Sequence, residues 1–205
     1  MKKISTLLLV GFVCIIQSCN SNDGDKKDAV DAANDANDKK DTTSMMSDDH
    51  KDSTTAAMGM PVNDDVADFA VKAANGGMAE VEMGKIAEQR GTSKAVKDFG
   101  AMMVKDHSKA NDELKKLAAA KNITLPAVVG DDMQKHMDDL RKDSANEFDK
   151  NYIDMMVSDH NDDIDLFEKA AKNSKDVEFQ AFAAKALPTL YKHLGAAKAI
   201  VKTRK

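Results

Sequence analysis

From Asn63 to the end of the chain, apolar residues recur at intervals of three and four, and no run of alternating β-branched residues interrupts them. That period places the apolar residues along one face of an α-helix, so this part of the chain can bury them only by packing helix against helix. The first stripe, Val66, Phe69, Ala73, Gly77, Val81 and Gly84 or Ala87, follows Asn63 or Asp64 as N-cap and stops at Gly91. The second, capped by Thr92 or Ser93, carries Val96, Phe99, Met103, His107, Ala110, Leu114 and Leu117 to about Lys121. Ser144 with Glu147 three residues on forms the pattern of a capping box. It opens a third stripe of Phe148, Tyr152, Met156, His160, Ile164, Phe167 and Ala171. After a stop and restart at Asn173-Ser174 comes the fourth: Phe179, Phe182, Ala186, Leu190, His193 or Leu194, Ala197 and Ile200. Pro188 is expected to kink that helix, because it removes one backbone bond and crowds the carbonyl of Ala184. Gly76-Gly77, costing about 1 kcal/mol per glycine relative to Ala, reads as a close contact between helices.

The link between the second and third stripes sets the topology. Ile123 to Pro126 reads as extended, and Asp131 to Arg141 offers Met133, Met137 and Leu140 as the face of a short helix, with His136 beside them as packing. Helices of about 27 residues span about 40 Å, and a link of about 22 residues, half of them helical, reaches about 50 Å. It can therefore run the length of a bundle. The fold expected is all-α: a ferritin-like four-helix bundle with one long crossover containing a short helix, filling residues 61–205.

The N-terminal third has another character. Met1-Lys2-Lys3, an apolar run from Ile4 to Ile16 and then Ile16-Gln17-Ser18-Cys19 read as an export signal over residues 1–18 ending in a bacterial lipobox, although Gln17 stands where a small residue is usual. The run is too short to span a bilayer as a helix. Cys19 is then the lipidated N-terminus, and as Cys14 leaves with the signal, no intramolecular disulfide is available. Residues 19–60 read as the lipidated cysteine and a disordered acidic tether. From Asn20 to Met60 there is no Leu, Ile, Phe or Tyr, and ten Asp oppose five Lys. As a flexible coil of roughly 41 residues it would hold the domain about 35 Å from its anchor. The expected location is the bacterial cell envelope, at the outer membrane facing the periplasm or surface. The folded part carries a net charge near −2, with no basic footprint for nucleic acid.

The chemistry concentrates in two near-identical segments, Met102-Met103-Val104-Lys105-Asp106-His107 and Met155-Met156-Val157-Ser158-Asp159-His160. Each sets Asp-His into an apolar stripe near the middle of its helix, so His107 and His160 fall at similar depth whichever way the helices run. Met103 and Met156 each precede a His by four, on the same face. Thioether beside imidazole suits copper, Cu(I) above all, while iron and zinc are the other transition metals considered. Glu80 and His193 lie within a turn or two of that layer, which makes Glu80, His107, His160 and His193, together with Met103 and Met156, the candidate ligands, with Asp106 and Asp159 orienting imidazoles from behind. The plainer alternative is that each His is a satisfied core residue donating to a helix carbonyl or an Asp, with the methionines filling gaps. The Glu-x-x-His pairs of carboxylate-bridged di-iron bundles are absent. So are a Gly-rich phosphate loop, a Gly-x-Ser-x-Gly elbow, Cys-x-x-Cys and His-Glu-x-x-His, and no catalytic residue is assigned. His50, Met45, Met46, Met58 and Met60 read as solvated tether residues.

The segments Ala73 to Glu82, Lys105-Asp106-His107-Ser108, Phe148 to Tyr152, Asp159-His160 and Leu187 to Leu194, in this order and spacing, resemble domain-of-unknown-function family 4142, a ferritin-like family of exported and lipid-anchored bacterial proteins. The resemblance covers roughly Val66 to Ala199. It implies the helical fold and an envelope location, and it implies that Glu80, His107, His160 and His193 occupy recurring polar positions; it implies no activity. The function expected is a non-enzymatic envelope binding or stress-associated module, tied to the membrane through Cys19, with the central histidines as candidate metal ligands. The alternatives are a metal-dependent redox or storage protein, and a module presenting a helix face to another envelope protein.

Overall fold

A computed structural model describes residues 27–44 and 63–204. Among them are six helices and no strand: α1 (Ala29–Ser44), α2 (Asp64–Arg90), α3 (Lys94–Ala120), α4 (Asp131–Lys142), α5 (Ala145–Asn173) and α6 (Val177–Thr203). Three of the four long helices begin on a side-chain cap. Asn63 accepts from the amide of Val66, Ser93 from that of Val96, and Asp176 from those of Glu178 and Phe179, each satisfying donors that a helix start leaves open. The expected capping box at Ser144 does not close on the backbone: its hydroxyl donates to the Glu147 carboxylate at 2.6 Å instead. Helix α6 continues as helix through Pro188.

α2 and α3 form one hairpin and α5 and α6 another; α2 also packs on α5, and α3 on α6. Two ties fix the direction of travel. At one end Asp149, near the start of α5, accepts from the amides of Thr92 and Ser93 just before α3, both at 2.8 Å. At the other, Lys121 at the end of α3 pairs with Asp176 at 2.9 Å, just beyond the end of α5. α3 and α5 therefore run parallel, and the segment between them returns the full length of the bundle, carrying α4. The single long crossover is as expected.

The crossover leaves α3 through a left-handed turn at Asn122 (φ 56°), where the amide of Ile123 reaches the carbonyl of Ala118 at 2.8 Å and that of Asn122 reaches Ala119. Asn tolerates this conformation, and the pattern satisfies the last carbonyls of the helix while turning Ile123 into the core.

The core divides in two. One half holds Phe69, Phe167, Phe179 and Phe182, with Phe69 meeting the other three edge-on at 5.1–6.4 Å between ring centres. The other holds Met83, Phe99, Met103, Phe148, Tyr152 and Met156. His107, His160, His193 and Glu80 are buried between them.

One expectation needs correction within the supposed tether. Residues 29–44 form α1, which docks on α2. Ala33 and Asn37 are buried, and the Asn37 side chain both donates to the carbonyl of Thr124 (3.0 Å) and accepts from its amide (2.7 Å). Lys40 donates to Thr124 and to the carbonyl of Asn122, and Asp28 caps Val30 while also accepting from Asp131. Composition argued that this stretch lacks apolar area of its own; it folds on area and backbone groups supplied by α2 and the crossover. His136, expected to pack, is exposed on α4. The signal, Cys19 and residues 45–62 lie outside the described residues.

Candidate metal centre

Each long helix delivers one polar group to the same level: Glu80 from α2, His107 from α3, His160 from α5 and His193 from α6. The three ring centres form a near-equilateral triangle with sides of 5.2, 5.3 and 5.6 Å. One nitrogen from each ring lies within 4.8 Å of the other two. His160 and His193 are wholly buried, His107 and Glu80 nearly so.

The hydrogen bonds settle two tautomers. His160 Nδ1 is 3.0 Å from the carbonyl oxygen of Met156, one turn back on its own helix. A carbonyl only accepts, so Nδ1 carries the hydrogen and Nε2 a lone pair. His193 Nε2 is 3.0 Å from Asp106 Oδ2. Partial burial would raise the Asp106 pKa, but His193 and Lys192 outweigh it and hold the carboxyl below its usual value, so it is an ionised acceptor and His193 Nε2 is the donor. The remaining nitrogens, His160 Nε2 and His193 Nδ1, face each other at 3.3 Å.

Neither ring takes up a proton readily. Burial, then the neighbouring His107 and His193, pushes His160 down to about 3. Burial also dominates at His193, bringing it to about 4 despite Asp106, and it lowers His107. At neutral pH the two rings point lone pair at lone pair across van der Waals distance, with no hydrogen between them.

The other side of the layer is also unsatisfied. His107 Nδ1 stands 2.8 Å from Glu80 Oε2, and His160 Nδ1 3.3 Å from Glu80 Oε1, but neither pair is aligned as a hydrogen bond. Among the described residues neither Glu80 oxygen nor His107 Nε2, all buried, has an aligned hydrogen-bond partner, although Glu80 and Asp163 interact. An unmade hydrogen bond in the interior costs about 1–3 kcal/mol for each such group, so such a cluster takes up a water or an ion. Glu80 is raised well above the carboxylate range, first by burial and then by the charge of Asp159. Asp163 is raised too, by burial and by Glu80, and Asp159 reaches about 7 through burial and Asp163.

The structure brings Glu80, His107, His160 and His193 to one level. Asp106 does hold an imidazole, that of His193 across the bundle and not that of its neighbour His107. Asp159 Oδ2 is buried without a partner, so an orienting role for it has no hydrogen bond behind it. Met103 and Met156 are fully buried in the methionine-rich half of the core, and Met156 reaches the site through its carbonyl. The plainer alternative describes two of the six imidazole nitrogens correctly, those bonded to Met156 and Asp106, yet leaves the facing pair unexplained. Asp163 was missed. It follows His160 by three, so a search for His-x-x-Asp, the reverse of Glu-x-x-His, would have placed it on the same face.

A family model described as a domain of unknown function (DUF4142) matches residues 51–200. No curated protein and no solved structure matches the chain.

Proposed function

Since the chain belongs to domain-of-unknown-function family 4142, whose description carries no activity, we propose a function from the site alone: the domain binds a single first-row transition-metal ion through His107, His160 and His193, with the Glu80 carboxyl beside His107 and a fourth position left open. The observation that carries this is the facing pair of lone-pair nitrogens, His160 Nε2 and His193 Nδ1, at 3.3 Å. A tetrahedral ion with bonds of about 2.05 Å sets its ligand nitrogens about 3.3 Å apart. A cation there turns lone-pair repulsion into two bonds, and the donors to Met156 and Asp106 lock the ring orientations as ligand histidines require. Imidazole donors suit zinc, copper or iron and not magnesium or calcium. The low proton affinity of the rings also favours a metal, which does not have to displace protons at neutral pH.

Elemental analysis of protein purified without chelator and reloaded tests the reading. About one equivalent of metal is expected for the wild type, with affinity falling by about 100-fold or more in His160→Ala and His193→Ala, by analogy with the loss of ligand-shell groups. Metal-free wild type after loading, with both variants merely less stable, would leave a structural polar layer and no centre.

The same proposal places the domain in the envelope on a lipid anchor at Cys19. The lipobox pattern supports it, and the docking of α1 sharpens it. Asp28, already bonded to the crossover, lies nine residues beyond Cys19. Fully extended, such a segment reaches about 30 Å, so the bundle would ride close to the bilayer rather than on a long leash. Incorporation of radioactive palmitate that disappears in Cys19→Ser is the expected result; wild-type protein that stays unlabelled would exclude the anchor.

A further inference from the structure

The histidine layer is open on one side. A cavity of about 320 Å³ lies between α3 and α6 and ends on Glu80, His107, Asp163 and His193. Its flanks are apolar, formed by Leu114, Phe167, Phe182 and Leu190, and Ala110 and Ala186 also line it. Larger side chains at those two alanines would fill the space. A core selected only for stability would do so, because an empty volume forfeits contacts in proportion to its size. The volume is at the lower end of small-molecule sites, which range over about 300–1,000 Å³ and share this combination of apolar walls with a few convergent polar groups.

Three lysines, Lys109, Lys185 and Lys192, line the mouth with two acids; Lys185 is held by Glu113 at 2.7 Å, and Lys192 stands 3.5 Å from Asp106. The rim therefore keeps one positive charge in excess, which favours a small anion in an otherwise acidic protein. At the inner end, a metal held by three neutral imidazoles keeps its positive charge, which suits an anionic oxygen donor.

We propose that this chamber binds a small aromatic carboxylate, its ring against the Phe167–Phe182 pair and its carboxylate reaching the metal at the histidine layer. The inference rests on the metal reading above and adds the ligand class. The two phenylalanine rings are 6.0 Å apart and tilted by 43°, so they touch each other and line the cavity as one wall, not as a slot. A carboxylate head alone would find the metal but leave that wall dry of contact. The ring distinguishes the chamber from a bare coordination position.

The test uses cobalt(II) as the bound metal, whose visible bands respond to coordination, with benzoate and acetate as probes of equal head group. Benzoate should change the bands of the full folded chain at a concentration about tenfold or more below acetate, the discrimination that burial of one ring supplies. Ala186→Trp, which narrows the chamber and replaces no metal ligand, should keep cobalt and lose the preference. Ala110→Leu repeats the measurement on the opposite wall should the tryptophan variant fail to fold. Equal responses to benzoate and acetate, or none, in protein that holds cobalt would overturn the chamber ligand and leave the metal centre standing. Failure to take up cobalt at all would overturn both.

Discussion

An imidazole buried in a helical bundle must place two nitrogens, and this protein provides partners for only some of them. His160 and His193 each bond one nitrogen to an acceptor and turn the other toward the opposite ring. That residue-scale fact separates a ligand site from a polar core layer, where both nitrogens would be satisfied. Tyr152 provides a control for the reasoning. Its ring stacks on Phe148 at 5.9 Å between centres, while its hydroxyl is buried without a partner and its pKa is raised, first by burial and then by Glu80. If the hydroxyl serves nothing, Tyr152→Phe removes only an unsatisfied group. The thermal midpoint should then hold or rise, by up to about 1 kcal/mol of stability. A fall of that size would show that the hydroxyl has a partner in solution, the metal or a water of the layer.

At the scale of elements, Glu80 of α2 meets His107 of α3 because the two helices cross closely. A Cβ on Gly100 would come within 2.7 Å of the Gly84 carbonyl oxygen, and one on Gly84 within 2.8 Å of the Gly100 oxygen. The contact is backbone on backbone, so no side chain can yield. Gly77 instead meets a side chain, the Asn111 amide, which fills its missing Cβ position. This accounts for glycine at 77 in a helix interior, as the close-contact reading expected, whereas Gly76 has only Asp163 near, at 3.5 Å. Gly100→Ala should cost about 1–3 kcal/mol in chemical denaturation despite the better helix propensity of Ala, because overpacking at fixed backbone outweighs it. Stabilisation by the expected propensity gain would mean that the helices stand further apart than described.

For the whole molecule, the two hairpins are joined at one end by Asp149. It accepts from the Thr92 hydroxyl at 2.7 Å as well as from the Thr92 and Ser93 amides. Partial burial would raise its pKa, but these donors prevail and hold it below the usual carboxylate value. A depressed carboxyl stabilises the fold above the unfolded-chain value and ceases to do so as pH falls through the folded one. The stability gap between wild type and Asp149→Asn, about 1 kcal/mol at pH 7 for so exposed a group, should therefore close below about pH 4. Urea unfolding at pH 7 and pH 3 measures it; a gap that persists at pH 3 would assign the loss to packing and not to the charge.

Much of this bundle was legible one residue at a time. Helix starts at Asn63 and Ser93, the apolar stripes, the crossover helix and the depth of the paired Asp-His segments follow from periodicity and capping, which are local and survive without a partner. The pairings across the bundle did not. Nothing near Asp106 in the chain indicates that it bonds His193 instead of orienting His107, and nothing in residues 29–44 indicates that they fold, since the surface that orders them belongs to α2 and Thr124. Spacing along a helix specifies which face a side chain occupies, but what it meets there depends on how separate helices dock, and docking brings together residues 87 positions apart.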